Sequence, residues 1–575
     1  MKYLPQILAL ALIITLFSCA KQSTPMGGPK DEDPPVLLSM SPENESTDTK
    51  PSVIELTFDE YIKVENANKQ IIVTPRINKQ EMEVITNKNR VIIKLNQQLE
   101  DSTTYVFNFQ KTIKDITEGN TPENLRLVFS TGPDIDSLTF SGKVEYLFLQ
   151  RDPLMKDVYI GLYELNDTTD VLSGPPYYIG PTDTVGNFKL TNIKEGKYLA
   201  YAWHDANNSL KAEEKQEAYS FLKDTINITN DITGALFYLS KADLSEFRVN
   251  RTTTIGSNFD IILSKYPVEI AIEDEEFNKS LFYRQNDKTI RLYHTQLLND
   301  STSIRLQLKD SVGFQLDTTL YAKFLMSDRK KEVLEGKFEG KRNFVDILQT
   351  DIKFNKPIQQ INFDSLLIKY DTASIIKVDK NWIFLNDSTD RTLLTFKWTI
   401  PDSITKESFI LYAGDSTFID IESEFNEKIE STFKRLKKES LSDEVKVKVN
   451  TSELPLIVQL TDKRDEIIAE RYLTESNEAI FQNVEPGTYY IRAIVDKNKN
   501  KRWDTSNLRK PVYAEPVYYV ENPNAENSKD ITVRAGWILE LEINPRRDQG
   551  LHLGTVLEEK IDTDMSKKEN ISVDK

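Results

Sequence analysis

Short runs of alternating apolar and polar residues dominate the chain. Between Pro34 and Gly132, Ile54, Leu56 and Phe58 alternate with Glu55 and Thr57, and Tyr105, Phe107 and Phe109 alternate with Val106 and Asn108. Ile71-Ile72-Val73, Val91-Ile92-Ile93 and Leu127-Val128-Phe129 add further runs with turn residues between them. A period of two at this spacing predicts a two-sheet β-sandwich over residues 34–132. Residues 241–340 carry more strand signals in Ile290–Tyr293, Ile304–Leu308 and Leu320–Phe324. In 341–450, Phe354-Asn355-Lys356-Pro357-Ile358 followed by Leu366-Leu367-Ile368 echoes Phe58-Asp59-Glu60-Tyr61-Ile62 followed by Ile71-Ile72-Val73. That echo predicts a second, diverged copy of the first sandwich. One segment breaks the period. Phe425, Ile429, Phe433 and Leu436, within Glu424–Glu439, predict a short amphipathic helix with a basic end at Lys434–Lys438.

Two distant segments repeat one another. Phe188-Lys189-Leu190-Thr191-Asn192-Ile193-Lys194-Glu195-Gly196-Lys197-Tyr198 leads to Asp205, and Phe481-Gln482-Asn483-Val484-Glu485-Pro486-Gly487-Thr488-Tyr489 leads to Asp496. A strand, a glycine turn and a Tyr-bearing return strand make a hairpin unit, so 138–240 and 451–545 read as two copies of one module. Each Asp opens an oxygen-rich loop. Asp205, Asn207, Ser209 and Glu213 in one copy match Asp496, Asn498, Asn500 and Asp504 in the other. Oxygen ligands at loop positions 1, 3, 5 and 9 suit Ca²⁺. Against that, Leu210 and Lys501 stand where a calcium loop of the EF-hand kind needs Gly, and Gln216 and Asn507 stand where it needs a bidentate Glu. The competing reading is an Asx-rich turn whose side chains bond their own backbone. The turn is favoured, with no cofactor required.

The N-terminus carries Lys2 and then the apolar run Ile7–Phe17, which suits a signal peptide and is too short to cross a bilayer. It ends in Leu16-Phe17-Ser18-Cys19, similar to a bacterial lipobox. That resemblance implies cleavage after residue 18 and acylation of Cys19, the only cysteine of the chain; two or more acyl chains anchor stably. Residues 19–33 read as a flexible tether, and 546–575, charged and aperiodic, as a disordered tail.

Further resemblances rest on particular residues. Ser41-Pro42, Phe58–Ile62, Ile72-Val73-Thr74-Pro75, Ile113-Lys114-Asp115, Gly119-Asn120 and Phe129-Ser130-Thr131-Gly132 look like a bacterial Ig-like domain of the S-layer type. The tether residues Gly27-Gly28-Pro29-Lys30-Asp31 in front of them are similar to a family of Bacteroidota outer-membrane lipoproteins. The repeated module resembles the transthyretin or carboxypeptidase-regulatory sandwich, which has no active site. Triplets such as Asp183-Thr184-Val185, Asp310-Ser311-Val312 and Asp402-Ser403-Ile404 look like O-glycosylation acceptors of Bacteroidota envelope proteins, and also suit turns ahead of strands.

Composition narrows the function. A net charge of −17 argues against a nucleic-acid partner. One Cys and three scattered histidines, His204, His294 and His552, leave no Cys-based zinc site and no catalytic motif. The expectation is an all-β chain of tandem Ig-like and transthyretin-like sandwiches with one helix, elongated, and not an enzyme. It would be anchored in the outer membrane through Cys19, scaffolding an envelope protein such as an outer-membrane β-barrel. The alternative is glycan capture, for which Trp203, Trp382, Trp398, Trp503 and Trp537 are the candidate platforms.

Overall fold

The computed structural model describes residues 31–552, apart from 153, 297–299, 326–330, 372–373 and 526. The signal peptide, Cys19 and the tail beyond His552 lie outside the described residues. The chain is a series of β-sandwiches, and the α-helical segment among the described residues is the single turn Ala67–Gln70.

In the first domain, Leu37–Ser41, Val53–Phe58, Arg90–Leu95 and Met82–Asn87 form one sheet, and Ile72–Thr74, Thr104–Asn108 and Arg126–Ser130 form the other. Alternation decides which side chains meet, because successive residues of a strand face opposite ways. Ile54 and Leu56, opposite Ile93 and Val91, face Phe107 and Phe129, and all six are fully buried. The Phe107 and Phe129 rings stack at 6.0 Å.

The echo in the fourth domain is realised in space. The small ladder of Ile62–Val64 with Ile113–Asp115 in the first domain has its counterpart in Ile358–Ile361 with Phe418–Asp420. The fourth domain begins earlier than 341, since Gly336–Glu339 pairs with Ile347–Phe354. The fifth likewise begins before 451, since Glu444–Val449 pairs with Glu478–Gln482 and Ile538–Ile543. The helix expected over Glu424–Glu439 is absent. Ile429–Arg435 is a strand paired with Ser408–Ala413, followed by a 3-10 turn at Lys438–Ser440. A spacing of four is even, so Ile429 and Phe433 share a face in a strand as readily as in a helix. The sheet buries Phe433 and leaves Phe425 half exposed.

The sandwiches do not run out into the elongated string expected from tandem domains. The first and second domains are joined by Arg76, which bonds Asp167 at 2.7 Å and the carbonyl of Pro175 at 2.9 Å. The second and third meet where Val312 of the third packs into the apolar cluster of Trp203 and Tyr219 of the second. Phe282 and Tyr293 of the third pack on Ile421 of the fourth. Asn343 of the fourth reaches Glu485 of the fifth at 3.2 Å. The fifth then returns to the second, closing the circuit. The supposed tail contributes to that return. Residues 546–552 are ordered along the second domain, where Gly550–Leu551 pairs with Leu236 and Ala235.

The fourth domain has a charge cluster built on a fully buried ion pair. Lys356, at the position where the first domain has Glu60, lies 2.9 Å from Asp420 and 3.0 Å from Glu422. Lys356 and Asp420 have no exposed side-chain surface. Burial works against the ammonium, but the two carboxylates outweigh it and hold its pKa above the ordinary lysine value. Lys356→Met should therefore strand two acidic groups and destabilise the chain by about 3–5 kcal/mol, measured by chemical denaturation. A loss under ~1 kcal/mol would show that the carboxylates find other partners.

Candidate functional site

The repeated module provides the most ordered chemistry of the chain. Its eight strands follow in the same order in both copies, from Leu138–Tyr146 to Ile232–Lys241 and from Glu444–Val449 to Ile538–Ile543. The glycine turn has one cause in both. Tyr198 donates to the carbonyl of Lys194 at 2.9 Å, and Tyr489 donates to that of Glu485 at 2.8 Å. Each ring folds back over its glycine, so a Cβ on Gly196 or Gly487 would lie 3.1 or 3.2 Å from the phenol oxygen.

The oxygen-rich loops superpose in their bonding. Asp205 accepts the backbone N–H groups of Ser209 and Leu210 at 2.9 and 2.8 Å, and Asp496 accepts those of Asn500 and Lys501 at 3.0 and 2.9 Å. Asn207 and Asn498 also accept from Ser209 and Asn500, at 2.8 and 3.1 Å. Glu213 accepts from the amide of Asn207 at 3.3 Å, and Asp504 from the amide of Asn500 at 2.7 Å. These are the bonds of the Asx-rich turn. Among the described residues no group of three or more His, Cys, Asp or Glu is disposed to hold a metal ion.

Each loop has a further member that sequence spacing did not reveal. Glu217 accepts the N–H groups of Ala206 and Glu213 at 2.8 and 2.9 Å. Glu515 accepts those of Lys497 and Asp504 at 2.7 and 3.0 Å. Glu217 lies 11 positions after Ala206, but Glu515 lies 18 after Lys497, and this unequal spacing hides the match. The extra residues of the second copy make the return contact. Thr505, Ser506 and Asn507 are buried. Tyr219 of the second domain donates to the carbonyl of Ser506 at 2.9 Å, Ser240 meets Ser506 at 3.1 Å, and Thr505 donates to the carbonyl of Lys241 at 2.8 Å. Arg509 bonds the carbonyl of Leu244 at 3.1 Å and pairs with Glu214. Leu508 and Tyr513 pack into the apolar cluster that holds Trp203, Tyr219 and Phe221.

A second seam lies beside it. Leu147 of the second domain packs with Ile457, Ile494, Val517 and Tyr519 of the fifth. Arg546 bonds the carbonyls of Leu147 at 3.1 Å and Val517 at 2.8 Å, bridging the two domains. A cleft of about 850 Å³ opens at the edge of the seam, lined by Tyr146, Arg151, His204 and Lys241 on one side and by Lys463 and Tyr490 on the other.

Other sequence candidates fall elsewhere. Trp203 and Trp398 are buried, so neither offers a ring to a sugar. Trp503 packs edge-on against Phe148 at 4.8 Å, and Trp382 lies against Trp398 at 5.9 Å. Trp537 is 40% exposed. The ring of His294 accepts from the backbone of Gln296 at 3.1 Å, and that of His552 lies 2.6 Å from the carbonyl of Asp548. Two of the Asp-Ser/Thr triplets form turns. Asp183 accepts from Val185 and Asn187 at 3.0 and 2.7 Å, and Asp310 from Val312 and Phe314 at 3.0 and 2.8 Å.

Residues 31–131 match the family model of the bacterial Ig-like domain, in agreement with the first sandwich. No curated protein matches the chain. Solved structures with a similar β-rich course include SGBP-B of the Bacteroides ovatus mixed-linkage glucan utilization locus, in complex with a mixed-linkage heptasaccharide. It is 12% identical with a TM-score of 0.17, over 60% of this chain and 85% of that one. BcpA, the major pilin subunit of Bacillus cereus, is 12% identical with a TM-score of 0.12, over 71% and 99%. Domains 1–6 of the surface layer protein SbsC are 11% identical with a TM-score of 0.15, over 88% and 67%.

The buried loop carboxyls carry a pH signature. Burial, with the charges of Asp504 and Asp496 adding to it, pushes Glu515 up to about 7. The folded state then keeps a proton that the unfolded chain releases near the ordinary carboxylate pKa, so this group's contribution to stability falls between about pH 4.5 and 7. On going from pH 5 to pH 8 the melting temperature should fall less, or rise more, in Glu515→Gln than in the parent chain. An identical difference in both would show that Glu515 titrates normally.

Proposed function

We propose that the chain is a non-catalytic, lipid-anchored protein of the cell envelope, a rigid multi-domain scaffold that presents binding surfaces to other envelope components. The observation that carries this reading is the interlocking of its two repeated modules by residues 503–515. Buried polar residues and a shared apolar cluster are spent there on holding domains in one arrangement. Tandem domains usually meet through small, polar contacts and move relative to each other. A chain built against that tendency keeps its outer surfaces in fixed register, as a scaffold for an outer-membrane partner such as a β-barrel requires. The anchor is Cys19, at the end of the lipobox-like run, in a chain with no other cysteine. A second reading, capture of a glycan, is favoured by the open cleft between the second and fifth domains.

The anchor and the partner are tested together. Cys19→Ser should move the protein from the membrane to the soluble fraction, because acyl chains supply the hydrophobic attachment. Retention of the variant in the membrane pellet at high salt would assign the attachment to a protein partner. Purification of the native protein from detergent-solubilised outer membrane should yield a stoichiometric companion. Recovery of the chain alone would contradict the scaffold reading.

A further inference from the structure

We propose that the cleft between the second and fifth domains binds an anionic oligosaccharide, one whose sugar rings carry carboxylate or phosphate groups. The inference rests on the glycan-capture reading and names its ligand class.

The cleft exists only because the fifth domain returns to the second. Tyr146, His204 and Lys241 stand at strand ends of the second domain, and Lys463 and Tyr490 belong to the fifth. Its volume, about 850 Å³, falls in the range of small-ligand sites. Its charges are sorted in a particular way. Lys156 is paired with Asp152 at 3.0 Å, and Arg464 with Asp462 and Glu466 at 3.3 and 3.2 Å. Asp465 is held by the buried Arg492 at 2.7 Å. Arg151, Lys241 and Lys463 are left with no counter-ion among the described residues, faced by Asp157. In a chain of net charge −17, three unpaired cations around one cleft form a local positive field. Lysine and arginine bond carboxylate and phosphate oxygens strongly.

The remaining lining suits sugar. The Tyr146 phenol makes no hydrogen bond among the described residues, and its ring meets His204 edge-on at 6.4 Å. Tyr490 lines the opposite side of the cleft. Aromatic faces take the apolar C–H faces of sugar rings, and the free phenol and imidazole supply directional bonds to hydroxyls. A cleft built for free phosphate alone would have no use for two tyrosines.

The test uses the full chain carrying Cys19→Ser, titrated calorimetrically with an oligogalacturonate, a phosphorylated mannose oligomer, a neutral cello-oligosaccharide of equal length and a single-stranded oligonucleotide. At least one anionic saccharide should bind about tenfold or more tightly than the neutral sugar and the oligonucleotide. The carboxylate and phosphate arms tell which acidic group is read. Lys241→Gln with Lys463→Gln, both on the exposed rim, should weaken that binding about tenfold and flatten its salt dependence, with an unchanged melting temperature. Tyr146→Phe should weaken binding without changing the salt dependence. Failure of both anionic saccharides to bind, equal binding of the oligonucleotide, or full affinity in the double lysine variant would each overturn the proposal. A stoichiometric envelope partner recovered alongside such a failure would leave the scaffold reading standing, which separates the two.

Discussion

The closed circuit of sandwiches depends on the return of the fifth domain to the second. Each domain buries its own core, and the packing of residues such as Phe107 on Phe129, or Phe409 against Trp398, needs no help from a neighbour. The position of one domain relative to another is a different problem, because a few polar contacts are worth about 1 kcal/mol each and leave hinges free. The return contact removes that freedom. It buries Thr505, Ser506 and Asn507 with hydrogen bonds made, and sinks Leu508 and Tyr513 into apolar surface of the second domain. Residues 546–552 then run across the joint. Gln549 accepts from the backbone of Tyr238 at 3.0 Å and donates to the carbonyl of Phe221 at 2.6 Å, satisfying groups that a solvent-exposed strand would leave to water.

The repetition explains how such a joint could be built from one module. The two loops are the same Asx-rich turn, closed in each copy by a buried glutamate that holds two backbone N–H groups. In the fifth domain the turn carries the longer connection to that glutamate, and this connection is the docking segment. The same turn in the second domain, with its shorter connection, lies beside the surface it meets. The hydrogen-bonded turn of the fifth domain is the base from which the inter-domain contact extends.

Much of this was legible in the sequence, and the exceptions share a cause. Period-two alternation found the strands of the first domain, and the Gly-x-Tyr hairpins found both copies of the module, because each signal depends on residues close in sequence. The Phe-x-x-x-Ile echo found the fourth domain for the same reason. The helix expected at Glu424–Glu439 failed because a spacing of four fits both periods, and strand pairing with Ser408–Ala413 decided between them. Glu217 and Glu515 were invisible because their roles depend on where the chain returns, not on a fixed spacing. The charged stretch after Pro545 read as a tail because nothing local shows that Arg546 and Gln549 have backbone partners hundreds of residues away, as Leu147 and Phe221 are. The closed circuit of domains, and the cleft with it, is a property of those long-range contacts alone.

The closure is tested most directly across the joint itself. The hydroxyl oxygens of Ser240 and Ser506 lie 3.1 Å apart, although the two residues are 266 positions apart in sequence. A chain carrying Ser240→Cys and Ser506→Cys on the Cys19→Ser background should form one intramolecular disulfide under mild oxidation, since side chains this close suit disulfide geometry. It would be seen as a mobility shift reversed by reductant and as a crosslinked peptide pair by mass spectrometry. Two free thiols that persist under oxidation, with each single variant folded as the parent, would mean that the fifth domain does not return to the second.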